Sequence, residues 1–152
     1  MPRFMQRSVC IWGILAGLSL AQNQALRLPG EYFFDNMRQL TFGGENAEAY
    51  FSFDGTQLIF QSTRETLGCD QIFSMKIDGS SVRMLSTGLG KTTSSYFLPG
   101  DTAILYASTH ANSPDCPPKP DYSRGYVWPL DAYDIFVAKA DGSSTRALFA
   151  SP

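Results

Sequence analysis

"TQLIFQSTR" at residues 56–64 and "TAILYASTH" at residues 102–110 are two copies of one segment, 46 positions apart. Working outward, Tyr50-Phe51 recur as Tyr96-Phe97 at the same spacing. "QIFSMKIDGSS" (71–81) recurs as "DIFVAKADGSS" (134–144), but 63 positions apart. The longer spacing places one insertion, residues 111–133, between the halves of the second repeat.

Each repeat reads as four short strands. In the first, 47–53 is strand a, ended by Asp54-Gly55, a dipeptide that supplies the positive φ values of a tight hairpin. Residues 56–63 are strand b, rich in β-branched and aromatic side chains and nearly continuous in apolar character, as in a sheet covered on both faces. Residues 71–77 are strand c, Asp78-Gly79 is a second hairpin turn, and 81–86 is strand d. The second repeat follows the same plan. Its a–b turn is Leu98-Pro99-Gly100-Asp101, where proline followed by glycine is type II turn chemistry. Its c–d turn is Asp141-Gly142 and its strand d is 145–149. Upstream, "MRQLTF" (37–42) resembles the strand d of a preceding unit, because Leu40 stands before strand a as Leu85 does. A repeat in the forties made of short strands is the pattern of a β-propeller, one blade per repeat. The expectation is therefore an all-β chain of propeller blades with four antiparallel strands each. It is incomplete, with about two blades (47–86 and 94–149) plus one N-terminal strand. Propellers close with about 4–8 blades, so the second blade is expected to present an open apolar face for missing blades or self-association.

Residues 1–21 read as a secretory signal peptide. Arg3 and Arg7 precede the apolar run "VCIWGILAGLSL" (9–20), and Ser19 and Ala21 stand at the −3 and −1 positions of a cleavage site. The run is shorter than the ~20 residues of a membrane span, so export is expected, to the periplasm or the extracellular space. Residues 22–36 read as a lead-in. A formal net charge of −2 carries no basic excess to attract nucleic acid or an anionic membrane surface.

The string "QLTFGGENAEAYFSFDGTQLIFQSTR", continued by "DQIFSMKIDGSSVRML", resembles the WD40-like repeat of TolB-type periplasmic propellers, from about residue 39 to 148. The shared pattern is Leu-Thr, an acidic strand start, an aromatic, an Asp-Gly turn, an apolar strand ending near Ser-x-Arg, Ile-Phe, and a second Asp-Gly. Phe53 stands where that repeat usually has proline. The resemblance implies an exported, non-enzymatic binding or scaffold module of the cell envelope. The alternative is the propeller part of a larger secreted hydrolase of the prolyl-oligopeptidase type, whose catalytic domain is not in this sequence.

Alternating strand direction sorts the loops. The a–b and c–d hairpins open at one end, with tight turns that offer little to bind. The d–a and b–c loops open at the other, with 43–48, 64–69, 87–93 and the insertion, and loops on a rigid scaffold are where binding concentrates. The candidate partner-binding residues are Glu45, Asn46, Glu48, Arg64, Tyr122, Tyr126 and Trp128, for a protein, peptide or glycan. The three aromatic residues read either as a stacking platform or as side chains that pack the insertion onto the propeller rim. Cys69 and Cys116 lie in the b–c loops of adjacent blades, and in an oxidising compartment they are expected to form a disulfide. Two free thiols are the other reading.

Catalytic and cofactor motifs do not emerge. His110, the only histidine, corresponds to Arg64 in the sister repeat and reads as a polar end to strand b. "GLGKTT" (88–93) has Leu85 where a phosphate loop needs its first glycine. There is no G-x-S-x-G elbow and no H-E-x-x-H zinc motif. Glu45 and Glu48, on strand a, are expected to face the central channel, where propellers can hold a cation. No catalytic residue, metal ligand or cofactor is assigned.

Overall fold

The computed structural model of the chain describes residues 28–149, except 34 and 65. The expected signal peptide, residues 1–21, and residues 22–27 of the lead-in lie outside the described residues. The chain divides into two compact units, Met1–Arg38 and Gln39–Pro152. In the first, the described residues form a turn in which the Glu31 amide donates to the Leu28 carbonyl (3.1 Å) and the Glu31 carboxylate accepts from the Leu28 amide (2.6 Å).

The second unit is all-β. Its strands are β1 (Glu45–Phe51), β2 (Gln57–Thr63), β3 (Gln71–Lys76), β4 (Arg83–Met84), β5 (Thr92–Phe97), β6 (Ala103–Ser108), β7 (Asp134–Lys139) and β8 (Arg146–Phe149). They form two four-stranded antiparallel sheets, ordered β1-β2-β3-β4 and β5-β6-β7-β8. The two sheets do not close on themselves. The sequence reading placed the four strands of each repeat correctly, with shifts at the ends. Residues 37–42, expected as a further strand, have no ladder partner among the described residues.

Strand alternation explains how the sheets stack. Leu58 pairs with Met75 and Phe60 with Phe73 on one face of the first sheet, while Ile59 and Ile72 point to the other. In the second sheet Ile104 pairs with Ala138 and Tyr106 with Phe136. By the repeat spacings these four are the counterparts of Leu58, Met75, Phe60 and Phe73. They form one buried cluster with Ile59, Ile72 and Leu85 of the first sheet. The sheets therefore pack front to back: the face that the first sheet turns outward, under Leu40 and Leu67, is the face that the second turns inward.

The c–d turn seals this joint. A Cβ on Gly142 would lie 2.6 Å from the Leu85 carbonyl oxygen, so only glycine lets the backbones approach this closely. At the same turn one repeat earlier, a Cβ on Gly79 would meet Leu40 at 3.5 Å, an ordinary contact. At the same end of the sheets, the Asp101 carboxylate accepts the amides of Phe53 and Asp54 (2.8 and 2.9 Å), tying the two a–b turns together.

The turns differ from expectation in detail. Gly100 has φ +85° and the Asp101 amide donates to the Leu98 carbonyl, as proline-glycine chemistry requires. At Asp54-Gly55 only the glycine has positive φ, so the hairpin is not a two-residue turn. The Asp54 carboxylate instead accepts from the Ser52 and Thr56 hydroxyls and the Thr56 amide, which holds a wider loop. β1 and β5 carry a bulge at the same place, with Glu48 and Ser94 each at φ +50°.

Candidate functional site

The loops expected at one end do gather there. The Gly90 amide donates to the Pro114 carbonyl, the Gln71 side chain donates to the Gly90 carbonyl, and Lys91 pairs with Asp131 at 3.0 Å. Cys69 and Cys116 form a disulfide, with Cα atoms 5.8 Å apart. The insertion is thus held at both ends: at its start by Pro114 and Cys116, and at its finish by Asp131 and by Asn112 donating to the Ala132 carbonyl. Burial works against the charge on Lys91, but its hydrogen bond to Asp131 and the nearby acidic groups leave its pKa above the usual lysine value. Burial likewise raises the pKa of Tyr133, whose hydroxyl donates to Asp131.

Between these anchors the aromatic residues stand out from the fold. Tyr122 and Tyr126 stack with centroids 6.0 Å apart and planes 13° from parallel, and Trp128 meets Tyr126 edge-on at 6.4 Å. Tyr126 is 78% exposed and Trp128 73% exposed. Packing on the sheet rim would have buried them, so that reading is not what the structure shows; the side chains pack on one another instead.

Asn46 and Arg64 come together in a second cluster. The Asn46 amide oxygen accepts from the Ser62 hydroxyl and the Arg64 guanidinium, each at 2.9 Å. Arg64 also donates to Ser62 and lies over the rings of Phe73 and Phe60, at 4.8 and 5.6 Å. His110 repeats this arrangement. Its Nδ1 is 2.7 Å from the Ser108 hydroxyl, and its ring lies 4.1 Å from that of Phe136, the counterpart of Phe73. The histidine is a polar lid on an aromatic ring, as its alignment with Arg64 indicates. Burial holds its pKa below the usual imidazole value, against the pull of the Asp134 charge.

Glu45 pairs with Thr63 in the ladder, and Glu48 accepts from the Ser94 hydroxyl at 3.2 Å. Among the described residues no group of three or more His, Cys, Asp or Glu side chains comes together as a metal site. No hydrogen bond or ring contact joins the aromatic trio to Asn46 and Arg64 among the described residues. The candidate surface is therefore two separate patches linked through the disulfide. A groove of about 410 Å³ opens beside the second patch, lined by residues 39–44 together with Arg64, Asp78, Gly79 and Val82.

Sequence reading missed the polar core of the loop end. Gln71, fully buried, accepts from the Ser86 hydroxyl and the Gly88 amide and donates to Gly90. Gln61 accepts from Thr93 and donates to Asp70, joining the first sheet to the second. A polar residue opening strand c was visible in both repeats, as Gln71 and Asp134, and is the only signal that pointed there.

The architecture defines a class: an all-β module of two stacked antiparallel sheets, cross-linked by a disulfide at the loop end. Among the described residues no helix is long and apolar enough to cross a membrane. Compared with known proteins, the chain matches no family model, and no curated protein is significantly similar to it.

Proposed function

We propose that the chain is two blades of an exported, TolB-like β-propeller that acts as a non-enzymatic binding or scaffold module of the cell envelope, with its ligand on the loop end. The front-to-back packing supports the propeller, because each sheet offers the next the same face and the same Leu–Gly joint. The disulfide suits an oxidising, exported location. One observation carries the binding role. Tyr126 and Trp128 remain exposed on an insertion fixed at both ends, and ordered aromatic side chains that bury nothing in their own fold are available to a partner. The ligand is a protein, a peptide or a glycan that stacks on these rings. Pull-down from an envelope extract tests this. Tyr126→Ala with Trp128→Ala is expected to abolish capture of a specific partner, while Asp78→Ala with Asp141→Ala, at the hairpin end, leaves it intact. Loss of capture from the hairpin pair alone would overturn the assignment.

A further inference from the structure

We propose that the rings of Tyr122, Tyr126 and Trp128 take a proline-rich peptide segment in the polyproline II conformation, whose open carbonyls accept hydrogen bonds from the polar edges of those rings. This rests on the binding role proposed for the same patch and narrows its ligand to one class.

The rings form a short row that ends in a corner. Tyr122 and Tyr126 lie 13° from parallel with centroids 6.0 Å apart. Trp128 meets Tyr126 at 78°, so these two make flat apolar walls nearly at right angles. A pyrrolidine ring is a compact, rigid apolar body that lies flat on one wall with its edge against the other. The walls stand ready before a ligand arrives, because the insertion is fixed by the Cys69–Cys116 bridge and the Lys91–Asp131 pair.

Hydrogen-bonding capacity separates the possible ligands. Among the described residues no hydrogen bond engages the Tyr122 or Tyr126 hydroxyl, the Trp128 indole N–H or the Arg124 guanidinium. The indole and the guanidinium can only donate, and both phenols can donate. Acceptors are scarce beside them. Between 119 and 130 the only carboxylate or amide side chain is that of Asp121. Its two oxygens accept from the Ser123 amide and hydroxyl, at 2.9 and 3.0 Å, and those bonds hold its carboxyl below the usual carboxylate range. The patch is thus apolar walls edged with donors.

A glycan brings a donor with every hydroxyl and needs acceptors beside the rings. An ordinary extended peptide brings an N–H with every carbonyl. A polyproline II segment has no internal hydrogen bonds, so its carbonyls stay open, and its prolines carry no N–H to leave unpaired. It is also stiff before binding and loses little conformational freedom on the rings.

NMR of the indole N–H tests this. The chain has two tryptophans, Trp12 and Trp128, so the Trp12→Phe chain gives a single indole signal. Adding blocked deca-proline is expected to move that signal saturably, because a carbonyl replaces water on the indole N–H. A Gly-Ser peptide of the same length should leave it in place. Tyr126→Ala is expected to weaken the response about tenfold, as the loss of one anchoring ring does, with the thermal transition unchanged; should the transition move, Tyr122→Ala repeats the test. A signal that ignores deca-proline overturns the proposal, as does a response undiminished without the tyrosine ring. Chitotetraose separates this proposal from the wider binding role. If it moves the signal and deca-proline does not, the patch binds a glycan and the proline-rich assignment falls while the binding role stands. If neither moves it, the proline-rich assignment falls, and the envelope pull-down judges the binding role by itself.

Discussion

Gly79 and Gly142 form a natural pair of experiments on the joint between the sheets. Both close a c–d turn of the same sequence, with φ of +85° and +86°. Alanine at either site meets the same backbone penalty, about 1–2 kcal/mol for a left-handed L-residue, offset by about 0.4–1 kcal/mol from the stiffer unfolded chain. Their surroundings differ. A Cβ at 79 meets Leu40 at 3.5 Å, an ordinary contact, whereas at 142 it meets the Leu85 oxygen at 2.6 Å and its Cα at 3.0 Å. Those are backbone atoms of the neighbouring sheet, so relief requires the sheets to part, at the ~1–3 kcal/mol typical of overpacking. Gly79→Ala should thus cost about 1 kcal/mol, and Gly142→Ala about 2–4 kcal/mol. With a urea m-value of about 1–2 kcal/mol/M for a small protein, the two midpoints should differ by roughly 0.5–3 M. Equal midpoints would refute the close approach of the sheets, and with it the front-to-back stacking.

Two further outcomes follow from the loop end. Cys69→Ser with Cys116→Ser removes a bridge between residues 47 positions apart and should destabilise the chain by about 4 kcal/mol on the chain-entropy estimate; titration of the unreduced chain from residue 22 onward, which leaves out Cys10, should find no free thiol, and finding two would contradict the bridge. Burial holds the pKa of His110 in the folded chain below the usual imidazole value of about 6.5. Its stabilising contribution is therefore fully present above pH 6.5 and is lost as pH falls through the folded pKa, because the unfolded chain takes up the proton first. As the only histidine, it gives a single NMR titration, and a midpoint at or above 6.5 would show that the ring is not held against Phe136 as described.

Much of the fold was legible because repeats and strand alternation are local signals. The copies at 56–64 and 102–110 located β2 and β6, and Asp54-Gly55 and Pro99-Gly100 located the turns that lead into them. Cys69 and Cys116, in b–c loops expected to emerge side by side, read as a pair or as two free thiols, and the structure has the bridge. The turn at Asp54-Gly55 misled, because two residues with hairpin chemistry did not reveal that the Asp54 carboxylate would bind the Ser52 hydroxyl and widen the loop. The exposure of Tyr126 and Trp128 was not legible either: an aromatic in a proline-rich loop has the same sequence whether it packs on the rim or on its neighbour.

Periodicity and turn chemistry by themselves determined the strands, their grouping into two repeats and the insertion, because each depends on residues close in sequence or equivalent by repetition. The tertiary structure alone decided which face of one sheet meets which face of the next, that Gly142 rather than Gly79 is pressed against a neighbouring backbone, and that Gln71 and Gln61 carry the polar links of the loop end. Those features depend on close contacts between segments far apart in the chain, and no local pattern encodes them.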